Sequence, residues 1–593
     1  MVVGELSADL GKVLVADKLG AGARAPRVVE LMIRAVLFGR IRLATTTWGT
    51  ANVVLAGERA GAQGAELRQR AFDLRDAAFN LLDSAHAGTV GTGHEREKGD
   101  SPGAGSRVKL SAVEVGRMRG KHLQRSFADL EFELQGVALD PVLKQISDVL
   151  DRHGTLVDLV HADLVRGLKR ARTGREGLRA VQVLRSFVLW RIKDWPYREL
   201  RDRIADGYTL RQFTGFGSGK VAKADAFQRS FARLRPETVR RLNQVVLDAI
   251  IKLGLEDARQ VRVDTMVVET NIHYPTDSTL LWDGVRVLSR LMHHGLAELL
   301  PAALVGVPNR TRRARRRMQE IVRMRDRKGK RRRAWQRKYA DLLSVTAEVV
   351  TQARAAATAA QATALNDPLK KILIDALCQQ IAHYARLTER VIDQTRRRVF
   401  AGETVAAGDK LYSIFEPHTD LIKRGKARKP VEFGHKVFLA ESRCGFITDY
   451  RVLDGNPVDS DQVQPSLTHH QQHFGQRLDL YAGDRGFDSA SARAAADKAQ
   501  VVRLCIPQRG GQLSAERAQE QRSRSFKQGQ RFRAGIEGTI SVLMRGRGMN
   551  RCRLSGRERF EMFVGTAVLA INLMRLAALL TGRKRRVPKS IAA

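Results

Sequence analysis

Two stretches of this chain carry an aspartate where a buried β-strand tolerates none without compensation. In Leu478–Ser489, Leu478, Leu480 and Ala482 alternate with Asp479, Tyr481 and Gly483. The strand-like pattern stops at Asp484, where Gly483 and Gly486 permit a tight turn. In Val261–Asn271 a Val-rich strand holds Asp264 within it. A carboxylate in such a place is costly unless a cation meets it, and the usual cations are a basic side chain or a metal ion. Taken alone, Asp484 reads as a cap for the helix beginning near Ser489, or as a surface partner of Arg485. A second strand of the same kind and a helix-borne acid, Glu537, together point to a metal site.

The rest of the chain supplies a frame for these acids. Residues 1–117 read as an N-terminal extension ending in a Gly-rich linker, His86–Ser106, with no chemistry visible, and the functional chain is expected to begin near Met118. From Asp140 the pattern is helical: Asp140 suits an N-cap, Pro141 the first helical position, and Val142, Ile146, Val149 and Leu150 one apolar stripe. A second helix spans Val181–Ile192. Short helices with surplus arginine follow, so 118–255 reads either as a helical DNA-end-binding domain or as an ordinary helical bundle with solvated basic residues.

After the Asp264 strand, Gly434–Glu441 and Gly445–Leu453 read as paired strands joined at Ser442–Cys444. A helix at about Ser460–Phe474 leads to the Asp484 strand. A helix across Ser489–Lys498, a strand Val501–Ile506 and the Glu537 helix complete the order. Strand, hairpin, helix, strand, helix, strand, helix makes a mixed sheet with flanking helices, the order of a ribonuclease H-like α/β core. That core is expected over 256–279 and 404–581, interrupted by a basic helical insertion at 280–403.

Within the insertion, Arg310–Lys338 holds sixteen Lys or Arg against Glu320 and Asp326. Trp335, Tyr339, Leu342, Thr346 and Val349 recur at four-three spacing, which predicts a helical hairpin or coiled-coil arm with a cationic end. Over the whole chain, 103 Lys plus Arg oppose 63 Asp plus Glu, a net charge of +40. A charge of that size calls for a polyanion, with nucleic acid ahead of an anionic membrane. The most apolar run, Met562–Leu580, contains Asn572 and Arg575 and reads as a buried helix, so no membrane partner is expected. Cys378, Cys444, Cys505 and Cys552 form no CxxC pair, which argues against a zinc ribbon or a disulfide framework and fits a reducing cytoplasm. No secretion signal is visible at the N-terminus.

Phosphodiester hydrolysis or transfer needs an activated oxygen nucleophile, a stabilised leaving oxygen and neutralised phosphoryl charge. Two Mg²⁺ or Mn²⁺ ions held by a few carboxylates supply all three. Asp264 and Asp484 converge if their strands are neighbours, and Glu537, on a helix with the apolar stripe Ile536, Ile540 and Leu543, fits as the third acid. Glu516 and Glu520 lie in a polar stretch and fit less well.

At these residues the chain resembles the DDE transposases of bacterial insertion sequences, of the ISNCY-type group. The resemblance rests on Val263-Asp-Thr-Met-Val-Val-Glu-Thr-Asn-Ile-His-Tyr-Pro-Thr-Asp277, Gly434-His-Lys-Val-Phe-Leu439, Gly483-Asp-Arg-Gly-Phe-Asp488, and Ile536-Glu-Gly-Thr-Ile-Ser541 with Arg551-Cys-Arg553. It covers roughly Met118–Leu580. It implies that Asp264, Asp484 and Glu537 are the catalytic triad and hold two divalent metal ions, and that terminal inverted repeats and target DNA are the substrates. The early insertion between the first two acids, and the segment before Met118, depart from the family pattern.

Contacts to the DNA backbone are expected from Lys436, Arg533, Arg545, Arg547 and Arg551, the last three continuing the Glu537 helix. Arg312, Arg316 and Arg332 are expected to contribute from the insertion. Asn271 and His273 fit a contact with substrate or metal and a hydrogen-bonded turn equally, while His435 and Lys436 fit either an approach to the scissile phosphate or the commoner exposed strand-end pair. Arg583–Arg586 reads as a basic phosphate-binding tail. Joining two ends in one event predicts at least a homodimer on DNA. A metal-dependent nuclease without strand transfer and a noncatalytic DNA-binding remnant are the competing readings.

Overall fold

The computed structural model describes residues 120–122, 138–168, 177–324, 329–423 and 430–582. The expectations for residues 1–117, for Met118 and for the tail from Arg583 lie outside the described residues. The described residues form two compact units, one built from those between Gly120 and Asn271 together with those from His418, the other from Ile272–Pro417. The second unit therefore reaches beyond both ends of the insertion expected at 280–403.

Seven helices open the described chain: α1 (Pro141–Arg152), α2 (Gly154–Val165), α3 (Ala180–Lys193), α4 (Tyr197–Asp206), α5 (Tyr208–Thr214), α6 (Ala224–Phe231) and α7 (Pro236–Lys252). Asp140 caps α1 as its sequence predicts, its carboxylate accepting from the backbone of Val142 at 2.9 Å and Leu143 at 3.3 Å. Such a cap stabilises a helix by about 1 kcal/mol. Arg185 of α3 ties the bundle internally, donating to Ser147, the Phe213 carbonyl and Asp151. These helices are not a body apart from the sheet, because Leu569, Leu573 and Leu576, from far along the chain, fill the same core. Strand β1 (Gln260–Glu269) follows.

The second unit is helical: α8 (Asp277–Leu291), α9 (Thr311–Arg323), α10 (Gly329–Ala362) and α11 (Pro368–Val399). The long helices α10 and α11 form the expected hairpin, with Tyr339, Leu342, Val349 and Thr346 buried along the four-three stripe. Gly284 lets α8 approach α11, since a Cβ there would lie 2.5 Å from the Thr388 hydroxyl. Arg310, Arg313, Arg317 and Lys338 are spent on Glu348, Asp341 and Glu320 between α9 and α10.

The first unit then resumes with β2 (Asp420–Lys423), β3 (Val431–Ser442), β4 (Ile447–Val452), α12 (Val463–Phe474), β5 (Leu480–Ala482), α13 (Ala490–Lys498), β6 (Leu504–Cys505), α14 (Ala515–Arg522), α15 (Arg524–Ala534), α16 (Ile536–Gly546) and α17 (Arg557–Leu580). The sheet is mixed. β3 runs antiparallel to β1 and carries β2 and β4 on its other edge, while β5 and β6 add on parallel beyond β1. The last strand is shorter than the expected Val501–Ile506.

Alternation along β1 sorts the two faces. Val261 and Val263 pack towards α12 and α13, whereas Met266 and Val268 pack towards α16 and α17. Asp264 shares the second face. Among the described residues α17 is the one helix long and apolar enough to cross a membrane, and most of it is buried inside the protein. Asn572, the residue that marked it as a core helix, bonds both backbone groups of Ile447 at the start of β4. Arg575 bonds the Cys444 carbonyl in the adjoining turn. All four cysteines are free.

Candidate active site

β1 and β5 are neighbours, pairing Val261 with Tyr481 and Arg262 with Ala482, so the expected convergence of their acids occurs. Asp264 is 6% exposed and its Oδ1 accepts from the Thr265 backbone at 2.7 Å. Asp484 follows β5 directly and its Oδ1 accepts from the Gly486 N–H at 2.8 Å, which fixes the turn. Glu537 stands in the first turn of α16, largely exposed.

The three carboxylates gather about one nitrogen. Arg533 Nη2 lies 2.7 Å from Asp264 Oδ2, 3.5 Å from Glu537 Oε1 and 3.7 Å from Asp484 Oδ2. All three oxygens therefore fall within a sphere of radius 3.7 Å, centred on a guanidinium. Burial pushes the Asp264 carboxyl up to about 6, with Arg533 the main influence opposing it and Asp484 and Glu537 adding to the rise.

The helix pair α15–α16 is held over the sheet by a second, buried ion pair. Arg262 of β1 donates to Glu441 of β3 and to the Phe532 carbonyl, both at 2.9 Å, and Thr539 of α16 donates to Glu441 at 2.7 Å. Gly535 separates the two helices where a Cβ would overlap the Arg262 guanidinium. Gly529 admits Cys505 of β6, and the Gln530 amide bonds the carbonyls of Gly483 and Cys505. Together these contacts set where Glu537 stands relative to Asp264 and Asp484.

An all-oxygen donor set suits a hard cation such as Mg²⁺ or Mn²⁺. Asp264, Asp484 and Glu537 would hold it, and the convergence of three anionic oxygens on a cation fits that assignment. Among the described residues no three His, Cys, Asp or Glu side chains chelate an ion as they stand. The guanidinium fills the space between the acids.

Several expected DNA contacts are placed differently. Arg533 lies among the acids, not offered to a phosphate. Lys436 is buried within β3 because its side chain faces Asp459, pairing with it at 2.7 Å and bonding the Pro457 carbonyl at 2.8 Å. His435 is buried on the opposite face, between His418 at 2.7 Å and Asp420 at 2.9 Å, so neither residue forms an exposed strand end. The Glu537 helix ends at Gly546, and Gly548 turns the chain with a positive φ of 60°, so Arg547 and Arg551 do not continue it. Arg547 is half-buried against the Ile192 carbonyl, and Arg551 sits 3.5 Å from Glu269. Arg545 is exposed, bonding Ser541 of its own helix. Arg312, Arg316 and Arg332 are exposed on the helical unit. His273 bonds Asp283 of α8 at 2.6 Å, which raises its pKa. Glu516 and Glu520 lie on exposed α14.

One neighbour of the acids gives no sign of itself in the sequence. Asp459 accepts from Thr265 Oγ1 at 3.0 Å, and a Cβ on Gly486 would lie 2.8 Å from its Oδ2 and 3.0 Å from Asp484 Oδ1. Along the chain Asp459 reads only as one acid of a pair before a helix, and nothing nearby ties it to Lys436.

Residues 494–577 match the family model of the transposase DDE domain, which supports a DDE transposase and implies a ribonuclease H-like fold. The match runs from α13 into α17 and includes Glu537, while Asp264 and Asp484 precede it. Neither a curated protein nor a solved structure matches the chain.

Proposed function

We propose that this chain is a DDE transposase of the ISNCY-type group, which cleaves DNA at the ends of a mobile element and joins the freed 3′ hydroxyl to target DNA. The meeting of Asp264, Asp484 and Glu537 oxygens around a single point carries the reading. Bound there, two Mg²⁺ or Mn²⁺ ions supply an activated nucleophile, a stabilised leaving oxygen and neutralised phosphoryl charge.

The protein's own part is positional. Asp264 is locked by β1 and its Thr265 N–H, and Asp484 by the Gly486 turn. Glu537, exposed at the start of α16, is the most free to rotate as a phosphate enters. The Lys436–Asp459 pair braces Thr265 beside Asp264 and leaves the Asp264 oxygens free of Lys436. Terminal inverted repeats and target DNA are the substrates, and the net charge of +40 supports a polyanionic partner. Arg545 and Arg551 serve the DNA backbone beside the acids. Work on the DNA of a bacterial chromosome requires a cytoplasmic protein, and joining two ends requires at least a homodimer on DNA.

The decisive experiment compares Asp264→Asn, Asp484→Asn and Glu537→Gln in a plasmid excision assay, a plain cleavage assay and a DNA-binding assay. Each variant is expected to lose cleavage by about a thousandfold or more, in line with removing a main electrostatic element of a site, with DNA binding retained. Cleavage without excision or joining by the wild type marks a nuclease. Unchanged DNA effects in all three variants mark a noncatalytic binder.

A further inference from the structure

Arg533 is buried to 18% exposure, and only its Nη2 is close to the acids. Its Nε is buried without a hydrogen-bond partner. The neighbouring Arg262 is seated differently, with Nε on Glu441, Nη1 on the Phe532 carbonyl and its Cζ 5.0 Å from the centre of the Phe532 ring. A guanidinium engaged at two nitrogens and laid against an aromatic ring is a fixed structural cation; one held at a single nitrogen, with a donor orphaned, is less firmly held. The chain thus has one arginine built into the sheet and another resting in the acid cluster, at the last turn of α15 just before the Gly535 break.

We propose that Arg533 is an exchangeable internal counter-ion: it keeps Asp264, Asp484 and Glu537 together before a metal ion arrives, and divalent cations load only as its guanidinium withdraws. This deepens the proposed function and rests on it, since the exchange has meaning only if those acids bind metal. Three carboxylates this close repel one another strongly unless a cation lies among them. A cation already present lowers apparent metal affinity by the fraction of molecules in which it occupies the site. Arg533 is in this sense a positioning residue whose release is tied to metal entry, and it keeps the acids preformed at the cost of affinity. No other basic side chain among the described residues lies within 4 Å of more than one of these acids.

The test is Mn²⁺ binding to the full chain without DNA, read by electron paramagnetic resonance, for wild type, Arg533→Gln, Arg533→Lys and Asp264→Asn. Arg533→Gln is expected to bind Mn²⁺ about tenfold or more tightly than wild type, and Arg533→Lys, which keeps the charge on a shorter reach, to fall between. In metal-free buffer Arg533→Gln should melt below wild type, and added Mn²⁺ should raise its melting temperature by more. Arg533→Lys, the milder change, gives the same sign of effect should the Gln variant not fold. Mn²⁺ affinity in Arg533→Gln equal to or weaker than wild type overturns the exchange while leaving the metal site standing. Mn²⁺ binding absent in wild type, or unaffected by Asp264→Asn, removes the proposed function and the exchange with it.

Discussion

Single residues carry unequal electrostatic loads in this protein, and the buried histidines show it as plainly as the acids. His470 on α12 is buried, its Nε2 has no hydrogen-bond partner, and burial, with His469 beside it, pushes its pKa down to about 4. The unfolded chain takes up this proton near pH 6.5 and the folded chain does not, so stability falls as pH drops from about 6.5 towards 4. His470→Leu is expected to flatten that fall by up to about 3 kcal/mol, read as a shallower pH dependence in urea unfolding. His435 and His469 are shifted in the same direction and leave a residual slope. At this scale the sequence spoke clearly of Asp264 and Asp484, because an acid in an apolar alternation is conspicuous. It was silent on Asp459 and misplaced Arg533 and Lys436, because the partner of a basic side chain is fixed by strand pairing and helix docking rather than by its own neighbours.

Elements with a strong internal signal were legible: β1 from its valines, the β3–β4 hairpin, the Asp140 cap, and α17 from an apolar run broken by Asn572. The division of α15 from α16 was not, since Arg531–Arg545 has unbroken helical spacing and the reason for the break, Arg262, lies on β1. The short β6 and the wide bounds of the helical unit escaped likewise, because both depend on what packs alongside. Asn572 gives the element scale its test. Its amide bonds the N–H and C=O of Ile447 at 2.9 and 3.0 Å, standing in for the strand that β4 lacks there. Asn572→Leu leaves two buried backbone groups unmet and should destabilise the first unit by roughly 2–4 kcal/mol, seen as a lower midpoint in chemical denaturation.

Over the whole molecule, charge is divided by role. In the helical unit Arg310, Arg313, Arg317 and Lys338 neutralise local acids, whereas Arg312, Arg316 and Arg332 project outward. If the outward set meets phosphates, the triple substitution to Ala should weaken DNA binding alike for all sequences. It should also reduce the slope of log K against log salt by roughly 0.9 for each phosphate that is no longer neutralised. A titration over several salt concentrations decides it, and an unchanged slope assigns these arginines to solvent.

Helix α17 has one more consequence, for how the protein comes into being. It plugs the core laid down by α1–α7, packs on one face of the sheet, and meets the backbone of Ile447 at the start of β4 through Asn572. A nascent chain emerging from the ribosome therefore carries its early helices and its acid-bearing strands for a long interval before the piece that fastens them exists. Until α17 is made, the early helices lack Leu569, Leu573 and Leu576 from their core, and Ile447 lacks the side chain that meets both its backbone groups.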